Sequence, residues 1–117
     1  MGFRKISAKE LIFVETYERY KEVIDAFEDF VDLKNINNVK KRSNKAGSYA
    51  KYLVRALIIS SEIYNVKIDK NDYKKMEQYL EKLRDHPEYD AYNRDEGRFP
   101  NAAINHFLMF ISRYPQY

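Results

Sequence analysis

The chain has 117 residues, a formal net charge of +3, eleven Tyr, no Trp, no Cys and only three Gly. That length suits one hydrophobic core, and the absence of Cys excludes disulfides and thiolate metal sites. A net charge this small excludes any argument for nucleic acid from bulk charge alone, so only the distribution of charge can carry one.

The distribution is uneven. Residues 8–34 hold four cations and eight acids, whereas residues 35–59 hold six cations and no acid. The start, Met1 to Ser7, is charged but leads into no uncharged apolar run, so no secretory signal is expected. Glu15, Glu18 and Arg19 interrupt the one long early apolar pattern, so no membrane span is expected either. The expected location is cytoplasmic. Few Gly and Pro favour helices with short connections. The expectation is all-α: one domain over 1–117, a small bundle of four main helices, with a long acidic helix at 8–33 and a helical core at 40–114.

Ser7-Ala8-Lys9-Glu10 has the form of a capping box. Phe13, Tyr17, Tyr20, Ile24, Phe27 and Val31 follow at alternating steps of four and three, a helical stripe. The spacing predicts one helix from Ala8 to Leu33. Its opposite face carries Glu15, Glu18, Glu22, Asp25 and Asp29, either a solvated surface or a docking row for a basic partner. Asn35 to Asn38 reads as a turn.

The basic stretch Lys40 to Arg55 comes next and runs into an apolar helix, with Ser43 or Asn44 as its N-cap and Tyr64 near its end. Tyr49, Leu53, Ala56, Ser60 and Ile63 form one stripe, widened by Tyr52, Leu57, Ile59 and Tyr64, which marks a central helix. Asp69 is the next candidate cap. Tyr73, Met76, Leu80 and Leu83 predict a helix at 70–84, ended by His86-Pro87. Residues 88–92 suggest a short turn and 93–99 a loop. Ile104, Phe107, Leu108 and Ile111 predict a last helix from Pro100 to Arg113.

Signatures of catalysis are missing. There is no Gly-rich phosphate loop, and His86 and His106 lie in different elements with no nearby Cys or carboxylate pair at ligand spacing. The expectation is no enzyme, no metal and no cofactor. The basic stretch offers a different chemistry. Lys40, Lys41, Arg42, Lys45, Ser48, Lys51 and Arg55 are candidate phosphate contacts, several of them at steps of three and four that share a helix face. A helix N-terminus adds free amides and a partial positive charge. Tyr49 and Tyr52 interleave with the cations and can stack or hydrogen-bond. A solvated cationic face without a partner is the plain alternative.

The segments Ser43 to Leu53, Asp69 to Leu83 with its Tyr79-Leu80-x-x-Leu83 end, and Ala102 to Ile111 with its Phe107-Leu108-x-Phe110 pattern follow one another in a familiar order. Over residues 40–114 the chain resembles the helical core-binding (SAM-like) domain of tyrosine recombinases and phage integrases, and related helical modules of restriction-type nucleases. The resemblance implies clamping of duplex DNA without sequence preference, with Lys41, Lys45, Ser48, Lys51 and Arg55 nearest the backbone. It implies neither strand cleavage nor joining. The acidic helix lies outside it, and no catalytic domain with an Arg, His and Tyr set follows. The expected partner is therefore nucleic acid, DNA ahead of RNA. The alternatives are a protein partner, as for a phage or mobile-element inhibitor or adaptor using the acidic helix, and a homodimer through the stripe of that helix.

Overall fold

A computed structural model describes residues 3–37 and 45–113 and is helical throughout, with six helices and no strand among them. They are α1 (Leu11–Arg19), α2 (Lys21–Asn37), α3 (Lys45–Tyr64), α4 (Tyr73–Arg84), α5 (Tyr89–Asp95) and α6 (Phe99–Arg113). Among the described residues no helix is long and apolar enough to cross a membrane.

The expected single helix at 8–33 is two helices joined at Tyr20. The Ser7–Glu10 box does form: the Ser7 N–H donates to Glu10 Oε2 at 2.7 Å, and Ser7 Oγ accepts from the Lys9 N–H at 3.1 Å. It closes a separate turn, and α1 begins only at Leu11. Tyr20 (φ −106°, ψ 19°) then ends α1. Its N–H bonds to the Thr16 carbonyl, and its own carbonyl accepts from the Ile24 N–H, so one residue closes one helix and opens the next. Its side chain is buried, and the hydroxyl donates to the Ile68 carbonyl at 2.5 Å. The two halves have different neighbours: α1 packs on α3, whereas α2 packs on both α3 and α6. The apolar stripe keeps its phase through the joint because Tyr20 belongs to both halves, so periodicity alone could not reveal the break. Of the expected turn at 35–38, residues up to Asn37 belong to α2, and Asn38 lies outside the described residues.

The helix α3 lies at the centre, against α1, α2, α4 and α6. Ala46, Ala50, Leu53, Val54 and Ala56 to Ser60 are all buried. Such burial around most of the circumference is what its apolar sequence requires. The helix ends where Asn65 takes a left-handed conformation (φ 49°) and the Val66 N–H returns to the Ser61 carbonyl, a Schellman-type stop.

Asp72 caps α4 by accepting from the Lys75 N–H at 3.0 Å, and Asp69, the sequence-based candidate, instead holds the preceding turn through the Asn71 N–H. The expected loop at 93–99 is mostly ordered corner. Residues up to Asp95 belong to α5, and the Arg98 N–H bonds to the Asn93 carbonyl while the Gly97 N–H bonds to the Arg94 carbonyl. These are the two bonds of a Schellman motif, with Gly97 (φ 67°) at the left-handed position that suits glycine. The core between these elements contains Ile24, Phe27, Leu53, Met76, Leu80, Leu83, Ile104 and Phe107, all without solvent exposure. Phe27 of α2 meets Phe107 of α6 edge to face, centroids 5.6 Å apart, a favoured ring geometry.

Candidate nucleic-acid interface

The seven residues expected to contact phosphate divide into three groups. Lys40, Lys41 and Arg42 lie outside the described residues, as do the candidate caps Ser43 and Asn44. Lys45 and Lys51 project from the first two turns of α3, exposed, with no ion pair to any described residue. Ser48 sits half-buried between them.

Arg55 is used differently. Its Nε donates to the Ile6 carbonyl at 2.8 Å, and its guanidinium lies 4.7 Å from the Tyr52 ring centroid and 5.7 Å from that of Phe13. Arg55 is half-buried and ties the N-terminal segment and α1 to the middle of α3. A cation held by a carbonyl and two rings has part of its donor capacity committed before any ligand arrives.

The interleaved tyrosines also face inward. Tyr52 stacks on Phe99 (5.6 Å, 16°) and donates to Glu96 Oε1 at 2.9 Å; burial, then the Glu96 carboxylate, raises its pKa. Tyr49 lies between Phe99 at 5.8 Å and His106 at 4.9 Å. Tyr49 and Tyr52 thus stack and hydrogen-bond within the chain, clamping the start of α6 onto α3. Both histidines are likewise engaged. His106 Nδ1 is 2.8 Å from the Ala102 carbonyl one turn back, and His86 Nδ1 accepts from the Glu88 N–H at 3.0 Å while its ring packs on Phe3. Among the described residues, no group of three His, Asp or Glu side chains is placed to hold a metal ion.

Beside Arg55 lies a surface recess of about 350 Å³, lined in part by Lys5, Glu10, Tyr52, Tyr92 and Glu96. Its two carboxylates are occupied. Glu10 takes Arg4 at 3.0 Å and the Ser7 amide; that amide first, then Arg4, holds its carboxyl below the usual range. Glu96 takes Tyr52 and stands 4.0 Å from Lys5. Arg4 also bridges to Glu62 of α3 at 3.0 Å. Sequence reasoning assigned no phosphate contact to Arg4, Lys5, Arg94 or Arg98. Arg94 and Arg98 are exposed at the α5–α6 corner, which Phe99 and Glu96 fix against Tyr52. The local signal was Glu96-Gly97-Arg98 ahead of Pro100, readable as a glycine-stopped helix.

The acidic row is not continuous. Tyr20 separates Glu15 and Glu18 on α1 from Glu22, Asp25 and Asp29 on α2. Asp25 binds Lys21 Nζ at 2.7 Å and the Tyr17 hydroxyl at 2.6 Å, and these two contacts, Lys21 first, hold its carboxyl below the ordinary range. The other four are exposed. Two apolar side chains stand out beside Glu15 and Glu18: Leu11 is 71% exposed and Val14 46%. The chain matches no known family model, and no curated protein or solved structure matches it significantly.

Proposed function

We propose that this chain is a non-catalytic nucleic-acid-binding module that contacts the backbone of duplex DNA through the basic entry to α3. The observation that carries the reading is the pair Lys45 and Lys51, exposed and without an ion pair among the described residues, within a 25-residue stretch of six cations and no acid. Free lysines on a rigid, buried helix suit phosphate contact, which needs charge at fixed spacing and no base-reading groups. The same reading follows from the SAM-like core expected over residues 40–114, in which α3, α4 and α6 would be the three helices and the basic stretch would lie on the duplex.

Fluorescence anisotropy with a labelled duplex at several salt concentrations tests it. Affinity should fall steeply as salt rises, and Lys45→Glu with Lys51→Glu should remove most of it. Arg55 is a poor choice for this test because its loss also releases the N-terminal segment. Unchanged affinity in the double variant, measured with its helical circular dichroism intact, sinks the proposal.

A second reading has its own observation. Exposed Leu11 and Val14 beside Glu15 and Glu18 give α1 an apolar and acidic outer face. Such a face suits a basic, apolar segment of a nucleic-acid enzyme, as an inhibitor or adaptor would require. Under this reading, Glu15→Lys with Glu18→Lys leaves duplex affinity intact or higher. Self-association is the remaining possibility; the stripe expected to pair with a copy is buried in the chain's own core at Phe13, Tyr20, Ile24, Phe27 and Val31, so a dimer would need another surface, and sedimentation at two concentrations that finds only monomer rejects it.

A further inference from the structure

Arg98 occupies a backbone conformation that a side chain rarely accepts. It follows Gly97 directly, and both residues are left-handed, with φ of 65° and 67°. Glycine at the first position is what a Schellman stop requires. At the second, any residue with a Cβ is disfavoured, and Arg has no short polar group to compensate, as Asn or Asp would. Asn65, at the end of α3, shows the compatible choice elsewhere in the same chain. Strain of this kind persists where surrounding structure imposes it, and it accumulates at functional positions.

The surrounding structure does impose it. The Arg98 N–H is held by the Asn93 carbonyl at 2.7 Å, and the Arg98 carbonyl accepts from the Ala102 N–H at 3.3 Å, so it closes α5 and opens α6. On either side the corner is fastened to α3, through Glu96 on the Tyr52 hydroxyl and through Phe99 stacked on Tyr52 and tilted against Tyr49. The Arg98 side chain is exposed and makes no hydrogen bond or ion pair with a described residue. The nearest acid in sequence, Glu96, is already occupied by Tyr52 and Lys5. The chain thus carries a guanidinium without a partner among the described residues on a rigid corner, fastened to α3 at Tyr49 and Tyr52.

We propose that Arg98 is a phosphate contact of the nucleic-acid face, giving it a second wall across the Tyr49–Phe99–Tyr52 rings from Lys45 and Lys51. This inference rests on the nucleic-acid reading above and extends it to a part of the chain 43 residues beyond Arg55. A two-walled face follows a phosphate backbone on both sides of one aromatic ridge. The guanidinium can bind one phosphate through two donors.

The test compares the full chain with Arg98→Gly, Arg98→Lys and Lys51→Ala, measuring affinity for a labelled duplex across a salt series and the thermal midpoint. Arg98→Gly relieves the backbone, so its midpoint should rise. Its affinity should nevertheless fall several-fold, with the salt slope reduced by about 1. Arg98→Lys should retain part of the affinity and none of the added stability. If Lys51→Ala weakens binding and Arg98→Gly does not, the second wall is refuted while the basic face of α3 stands. If the unaltered chain shows no salt-dependent binding, both fall.

Discussion

At the scale of single residues, four side chains behave in ways that their type alone does not announce. Tyr20 is the joint of the N-terminal arm, and its buried hydroxyl satisfies the Ile68 carbonyl. Tyr20→Phe should cost about 1–2 kcal/mol in urea unfolding, because a buried acceptor loses its donor. Ser60 is the reverse case. It is fully buried in α3, and its hydroxyl has no hydrogen-bond partner among the described residues. Ser60→Ala should therefore raise stability by about 1 kcal/mol, and a lower urea midpoint would contradict the assignment. Arg98 was invisible as a special residue in the sequence, since left-handed backbone is not encoded by residue type when the residue is Arg. Arg55 was visible as a cation but not as a tether, because the Ile6 carbonyl it holds lies 49 positions away.

At the scale of elements, local chemistry settles most of the boundaries. Asp72 satisfies an orphan amide at the start of α4, and Asp72→Ala should destabilise the protein by about 1 kcal/mol in thermal or urea unfolding. Asp69→Ala, which removes only a turn contact, should have a smaller effect. The existence of α3, α4 and α6 and most of their inward residues was legible, because each is amphipathic, and α3 and α4 have clear stops in Asn65 and His86-Pro87. The break at Tyr20 was not legible, since the four-three spacing is preserved across it. The corner at 93–99 was read as loop for want of apolar periodicity, yet its order comes from Schellman bonds and from Phe99 packing on distant Tyr52. In the candidate site Lys51 falls on α3 as the apolar stripe predicts, Lys45 is the first residue of that helix, and Lys40 and Lys41 lie outside the described residues. The sequence could not apportion the tyrosines between solvent and the neighbouring helix, because that depends on where α5 and α6 return.

At the scale of the whole molecule, one core joins all six helices, and its titration behaviour follows from what it encloses. Burial pushes the Tyr89 phenol up to about 12 and also raises Tyr92 and Tyr20. In the unfolded chain these phenols ionise near pH 10. A pKa raised by folding leaves stability intact below pH 10 and removes it progressively as pH rises through about 12. Alkaline unfolding should thus begin above pH 10, and Tyr92→Phe should move its midpoint to higher pH. The acid limb has the opposite sign. Asp25 and Glu10 are held below their ordinary values, so what they contribute is present above the unfolded carboxylate range and lost as pH falls below it.

The central position of α3 also has a consequence for synthesis. Its first two partners, α1 and α2, precede it on the ribosome, but α6 emerges after the other five helices and carries Phe107 and Phe110, the rings that meet Phe27 of α2. Until then the nascent chain presents Phe27 and one side of α3 uncovered, an apolar surface of the kind that holdase chaperones recognise. A fragment ending at residue 98 should keep much of its helical circular dichroism yet bind a hydrophobic dye strongly, whereas the full chain should not. The described helices are thus assembled around α3 and sealed by α6.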